Sequence, residues 1–135
     1  MTGETNLATL LATMQPVLND GDYVFCALPG DASIDTKYMI GSFREEEGLT
    51  VILHQAYADQ LQLTYSFVAA WITLTVHSSL EAVGLTAAFS KALSEAGISC
   101  NVVAAFYHDH IFVAKEEAGR AMKVLQGLTK TRQAK

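Results

Sequence analysis

Only two of the 135 residues are cysteine and only two are proline. Positive charge is scarce too, with nine Lys and Arg against fourteen Asp and Glu. Two cysteines, Cys26 and Cys100, each inside an apolar run, exclude a disulfide framework and a Cys-based zinc module. They read as small buried hydrophobes of a reducing cytoplasm, and neither has the electropositive sequence neighbour that makes a thiol reactive. A net charge of −5 argues against a nucleic-acid partner, whose phosphates need a basic face. The basic tail at 131–135 reads as a solvated terminus. No uncharged apolar run is 18 residues long, so no membrane-spanning helix is expected. The opening "MTGETNLATLLATMQP" places Glu4 where a secretory signal carries Lys or Arg, which points to the cytoplasm.

What is plentiful is apolar surface. Half the residues are hydrophobic, 17% are charged, and the mean hydropathy is +0.23. In one small domain that surplus calls for a subunit interface, so a homodimer or higher homo-oligomer is expected.

Leu7, Leu10, Leu11 and Met14 recur at helical spacing and predict an amphipathic helix over about residues 4–14, stopped before Pro16. "NDGD" at 19–22 is turn chemistry. "YVFCAL" (Tyr23–Leu28) reads as a strand ending at Pro29 and Gly30. Strands over 39–44 and 49–55 flank the turn Glu45, Glu46, Glu47, Gly48, a hairpin pattern, and a short helix follows at 56–63. In "WITLTVH", Ile72, Leu74 and Val76 alternate with Thr73, Thr75 and His77, the period of a half-buried strand. Leu85, Phe89, Leu93 and their neighbours form a helix stripe closed by Gly97. Strands over 98–107 and 110–114 and a last helix complete the order strand, helix, strand, strand, helix. That is a split βαβ unit lacking its final strand, and the first half looks like an incomplete copy of the plan. A complete sheet forms if the halves, or two chains, exchange strands.

"ITLTVHSSLEAVGLTAAFSKALSEAGISCNVVAAFYHDHIFVA" resembles an ACT domain, the small-molecule-sensing module of amino-acid metabolism. The shared features are a strand, a loop ending in Val83, Gly84 and Leu85 at a helix start, the helix running into a second strand, and a short turn with Asp109. "REEEGLTVIL" is similar to the partner segment of small stand-alone bacterial proteins with paired ACT-like halves. The resemblance implies an α+β, ferredoxin-like (βαββαβ) sandwich of two interlocked ACT-like halves, with an antiparallel sheet and helices on one face. The expected division is 1–63 for the first half, 64–130 for the second and 131–135 for the tail. It also implies an amino acid or similar small metabolite bound where ACT-like units meet, and a regulatory rather than enzymatic role without a cofactor.

The residues fit such a site. Gly84 has no Cβ, which allows a ligand or a neighbouring backbone to come close. The unpaired N–H groups of Ala82, Val83, Gly84 and Leu85 at a helix start suit a carboxylate. For an α-ammonium the candidates are Glu45, Glu46, Glu47 and Asp109. Asn101, on the second strand, is placed to hydrogen-bond a ligand, and Thr50 and Val51 offer backbone groups from the other half. Bland readings stand beside these: packing for Gly84, a solvated hairpin for Glu45 to Glu47, a helix-start charge for Glu81, and a structural role for Asn101.

Two chemical alternatives are weak. His77, Ser78 and Ser79 are adjacent in one loop and lack the G-x-S-x-G elbow of a nucleophilic serine. His108 and His110, with Asp109, His54 or His77, make a conceivable zinc or nickel set, but a turn is expected to part the two rings. An adaptor without a ligand pocket is the remaining rival, and it uses the same apolar surface.

Overall fold

A computed structural model of the protein describes residues 6–75 and 84–133, with side chains as far as Thr129. In chain order its elements are α1 (Leu7–Thr13), β1 (Gln15–Leu18), β2 (Tyr23–Leu28), a 3-10 turn (Thr36–Tyr38), β3 (Met39–Glu45), β4 (Gly48–His54), α2 (Gln55–Gln60), β5 (Val68–Thr75), α3 (Leu85–Glu95), β6 (Cys100–Ala104), β7 (Asp109–Ala114), a second 3-10 turn (Lys115–Glu117) and α4 (Ala118–Gln133). They divide into two compact units, Asp20–Ala70 and Met1–Asn19 with Trp71–Lys135. β5 contributes its first three residues to one unit and the rest to the other.

Within Asp20–Ala70 the strand order is β3-β4-β2-β5, and the three pairings are antiparallel. This is the ferredoxin-like βαββαβ plan with its first helix shrunk to the 3-10 turn. The segment before β3 is short and polar, and Asp35 ends it by accepting from the Lys37 amide at 3.0 Å. Val24, Cys26 and Leu28 alternate along β2 and meet Leu53, Val51 and Leu49 on β4, with Ala58 of α2 closing the core. The hairpin turn is only Glu46 and Glu47. It works because Gly48 takes φ +151°, and a Cβ there would stand 2.8 Å from the Leu28 carbonyl oxygen.

Within the other unit the order is β1-β5-β7-β6. β1 runs antiparallel to β5, with Gln15 opposite Thr75 and Leu18 opposite Ile72, and so supplies the strand that the C-terminal half lacks. The sequence reading ended at the helix stop and missed β1; Pro16 is tolerated because β1 has a neighbour on one side only among the described residues. Helices α1, α3 and α4 contact one another, and they meet β1, β6 and β7. Ile72 and Leu74 of β5 and Ile111 and Val113 of β7 are buried in this unit's core with Leu10, Leu11, Phe89, Leu93 and Leu125. Gly97 ends α3 as expected: at φ +77° its amide reaches Ser94 O at 2.9 Å, and the Ile98 amide reaches Leu93 O at 2.9 Å. Cys26 is buried, whereas Cys100 is only half-buried, because its strand lies at the rim of the sheet.

Candidate ligand site

The start of α3 depends on Gly84, which stands before the helix at φ +96°, a left-handed conformation that side chains resist. Its carbonyl accepts the Ala88 amide at 2.9 Å. A Cβ there would lie 3.1 Å from Leu7 Cδ2, so the close approach that glycine permits is that of α1. Leu85 is buried beneath the helix. Ala82 and Val83, with His77, Ser78, Ser79 and Glu81, lie outside the described residues.

β7 starts at this same end of the sheet. Trp71 stacks on Phe112 at 6.2 Å, and two residues further along β5 Thr73 reaches His110. The two strands therefore run in opposite directions, and Asp109 at the start of β7 sits beside the end of β5 from which the chain departs for Gly84. Asp109 is 8% exposed and opposes Ala104 on β6. Its side chain makes no hydrogen bond among the described residues. Burial pushes its pKa above the ordinary carboxylate value, while His110 and His108 pull the other way. In the turn before it, the buried Nδ1 of His108 finds no partner among the described residues. One end of the sheet thus holds a buried carboxyl and a helix start in the same unit.

The remaining candidates are spread out. Asn101 is exposed on β6, opposite Phe112. Thr50 and Val51 lie mid-strand in β4, with ladder partners Ala27 and Cys26 on β2 and Phe43 and Ser42 on β3. The Thr50 hydroxyl donates to Glu45, and the Val51 side chain is buried. Glu45, Glu46 and Glu47 are exposed. His108 and His110 differ in setting: one is in the turn, and the other points its Nδ1 at Trp71 and Thr73. Among the described residues no group of three or more His, Cys, Asp or Glu side chains is arranged to hold a metal ion. No described helix is long and apolar enough to cross a membrane.

The sequence reading missed a polar cluster on β5 and β7. The Trp71 indole N–H donates to His110 Nδ1 at 3.0 Å, and the Thr73 hydroxyl lies 3.1 Å from the same nitrogen. Asn19 Nδ2 donates to Thr73 Oγ1 at 3.0 Å and to the Trp71 carbonyl at 3.2 Å. An indole only donates, so His110 Nδ1 carries a lone pair and the ring proton belongs on Nε2. The signal in the sequence was the Thr face of "WITLTVH", but its partner Asn19 was read as part of a turn. Burial, then the nearby His108, holds the His110 pKa below the ordinary histidine value, with Asp109 opposing. The unfolded chain therefore takes up this proton first as pH falls, and stability drops once pH passes below the unfolded value of about 6.5. Trp71 is the only tryptophan, so its fluorescence should titrate with a midpoint below that value. The transition should vanish in His110→Gln; an unchanged titration there would assign it to another group.

Models of the ACT domain match residues 2–70 and 66–127 of the chain. A crystal structure of a Vibrio cholerae protein, described as of unknown function and a possible transport protein, is 50% identical. It aligns over 91% of this chain and 95% of that one, with a TM-score of 0.79. An Agrobacterium tumefaciens protein is 18% identical over 86% of this chain and 89% of its own, with a TM-score of 0.66. The regulatory subunit of aspartate kinase from Thermus thermophilus, in a ligand-free form, is 10% identical over 87% and 98%, with a TM-score of 0.59. With these last two the likeness is one of fold. No curated protein matches the chain.

Proposed function

The chain belongs to the ACT-domain family, and on that premise we propose that it is a non-enzymatic regulatory module that binds an amino acid or similar small metabolite. The observation that carries this reading is Asp109, a residue only 8% exposed whose side chain makes no hydrogen bond among the described residues, at the end of the sheet where α3 begins. A free amino acid complements both features. Its ammonium would meet Asp109, and its carboxylate would meet the amides at the start of α3. The proposed ligand residues are Ala82, Val83, Gly84, Leu85, Asn101 and Asp109, with Thr50 and Val51 the contribution of an abutting ACT unit. We place the ligand where ACT units of two chains meet, in a homodimer or larger homo-oligomer. Binding at such a junction would bias its geometry, which is how one site reports to another. Two free thiols fit a cytoplasmic location.

Thermal unfolding against each of the twenty amino acids at millimolar concentration tests this. A ligand held only by the folded state stabilises it by RT ln(1 + [L]/Kd), about 2.7 kcal/mol at one hundred times Kd. A rise in Tm of several degrees with one or a few related amino acids is expected. A flat panel would overturn the amino-acid reading and favour an adaptor. Gly84→Val is a poor control, because it strains the backbone and crowds Leu7 whether or not a ligand binds.

A further inference from the structure

The chain passes between its two units twice, at Asn19–Asp20 and at Ala70–Trp71. The last residue before the first crossing and the first after the second, Asn19 and Trp71, belong to one polar cluster. The Asn19 amide donates to the Trp71 carbonyl at 2.9 Å, and Asn19 Nδ2 donates to the same oxygen at 3.2 Å. The strand ladder is irregular at this point. Leu18 of β1 faces Ile72 of β5, and Tyr23 of β2 faces Ala69. Between those pairs four residues, 19–22, stand against only two, Ala70 and Trp71, a bulge that interrupts regular pairing. The hydrogen bonds of Asn19 hold the gap closed.

The cluster ends on His110, one residue from Asp109. Consecutive strand residues point to opposite faces. Asp109 shares its face with the buried Ile111 and Val113, whereas His110 turns to Trp71 and Thr73. A second ring proton on His110 must go to Nδ1, which then donates instead of accepting. The Trp71 indole cannot accept, so that contact breaks. The Thr73 hydroxyl, which already takes a bond from Asn19 Nδ2, becomes the acceptor the ring has left. The charged groups near the ring are His108 and Asp109 of its own strand. The residues that face it, Trp71 and Thr73 from β5 and Val103 from β6, carry no charge. Burial and His108 oppose the added proton, and the Asp109 carboxylate favours it.

We infer that His110 couples the Asp109 end of the sheet to the chain crossings: a cationic ligand group held by Asp109 keeps the Asn19–Trp71–Thr73–His110 network closed, and protonation of the ring opens it. The inference rests on the reading of Asp109 given above and supplies the regulation of that site. A bound ammonium cancels the carboxylate charge that helps the ring ionise, so the ligand holds His110 in the neutral form that accepts from Trp71. Acid acts in the opposite sense. Because such coupling is reciprocal, the opened network must hold the ligand less tightly than the closed one.

Trp71 fluorescence followed against pH reads the network, with His110→Gln as the blank. Asp109→Asn in the ligand-free chain should move the midpoint to lower pH, because the charge that favours the second proton is gone. Saturating the wild type with whichever of the twenty amino acids raises Tm most should move the midpoint the same way, and should add nothing in Asp109→Asn. The Asn19 amide should lose hydrogen-exchange protection through the same midpoint, while the Ile98 amide, bonded to Leu93 O at the end of α3, keeps its own. A midpoint unmoved by Asp109→Asn would overturn the coupling, as would a responding amino acid that leaves the wild-type midpoint in place. So would an Asn19 amide equally protected on both sides of the transition. A flat amino-acid panel together with a midpoint that moves in Asp109→Asn would sink the amino-acid reading and leave the link from Asp109 to Trp71 standing.

Discussion

Gly48→Ala is expected to lower the stability of the Asp20–Ala70 unit by about 3 kcal/mol, at the upper end of what backbone strain and overpacking each cost. The new Cβ would stand 2.8 Å from the Leu28 carbonyl oxygen, which is main chain and has no rotamer to escape into. It would also have to hold φ at +151°. Relief requires β2 and β4 to separate where Leu28 pairs with Leu49, at the rim of the core that Cys26 and Val51 share. A urea titration should show the midpoint falling. Gly119→Ala is the matched control: it lies in α4 with open space around its Cβ position, so alanine should add about 0.5–1 kcal/mol. Equal behaviour of the two variants would mean that the hairpin turn tolerates a side chain, contrary to the geometry.

Asp109→Asn is expected to act in opposite directions on stability and on binding. The carboxyl is buried, and its pKa is raised in the folded state. Between the ordinary carboxylate value and this raised value the folded protein holds a proton that the unfolded chain has released. Stability is therefore fullest below the unfolded pKa and declines as pH rises through the folded one. Above the folded pKa both states are ionised, and the ligand-free protein carries the cost of a charge that burial disfavours. An amide removes the charge at nearly the same volume. The ligand-free variant should gain about 1 kcal/mol, about 3–5 °C in Tm for a chain of this length. The same change takes away the counter-charge proposed for a ligand ammonium. The Tm rise with the responding amino acid should shrink by most of its size. A variant that loses stability at pH 7, or keeps the full ligand response, would remove Asp109 from the site.

Much of the fold was legible because burial imposes a period. The β-forming run Tyr23–Leu28, stopped by Pro29 and Gly30, defined β2 to the residue, and Phe89, Leu93 and Gly97 marked the course and end of α3. β1 was not legible: Pro16 signals a helix stop whatever follows, and the partner that makes 15–18 a strand is some 60 residues away. The site divided in the same manner. Gly84 announces itself by type, but that its close neighbour is Leu7 of α1 depends on tertiary packing. Asp109 looked like a turn residue; its burial follows from its place on β7. Asn19 and His110 are some 90 residues apart and meet through Thr73 and Trp71.

The placement of β1 bears on how the chain is made. A ribosome releases α1 and β1 before the elements they pack on: Gln15 pairs with Thr75, some 60 residues later, and α1 packs on α3 and α4. The Asp20–Ala70 segment, whose pairings are all internal, can close during that interval. Leu10, Leu11 and Met14, buried in the finished protein, emerge well before the helices that cover them. Chains truncated before α4 should therefore leave Leu10, Leu11 and Met14 open to protease, and the full chain should protect them.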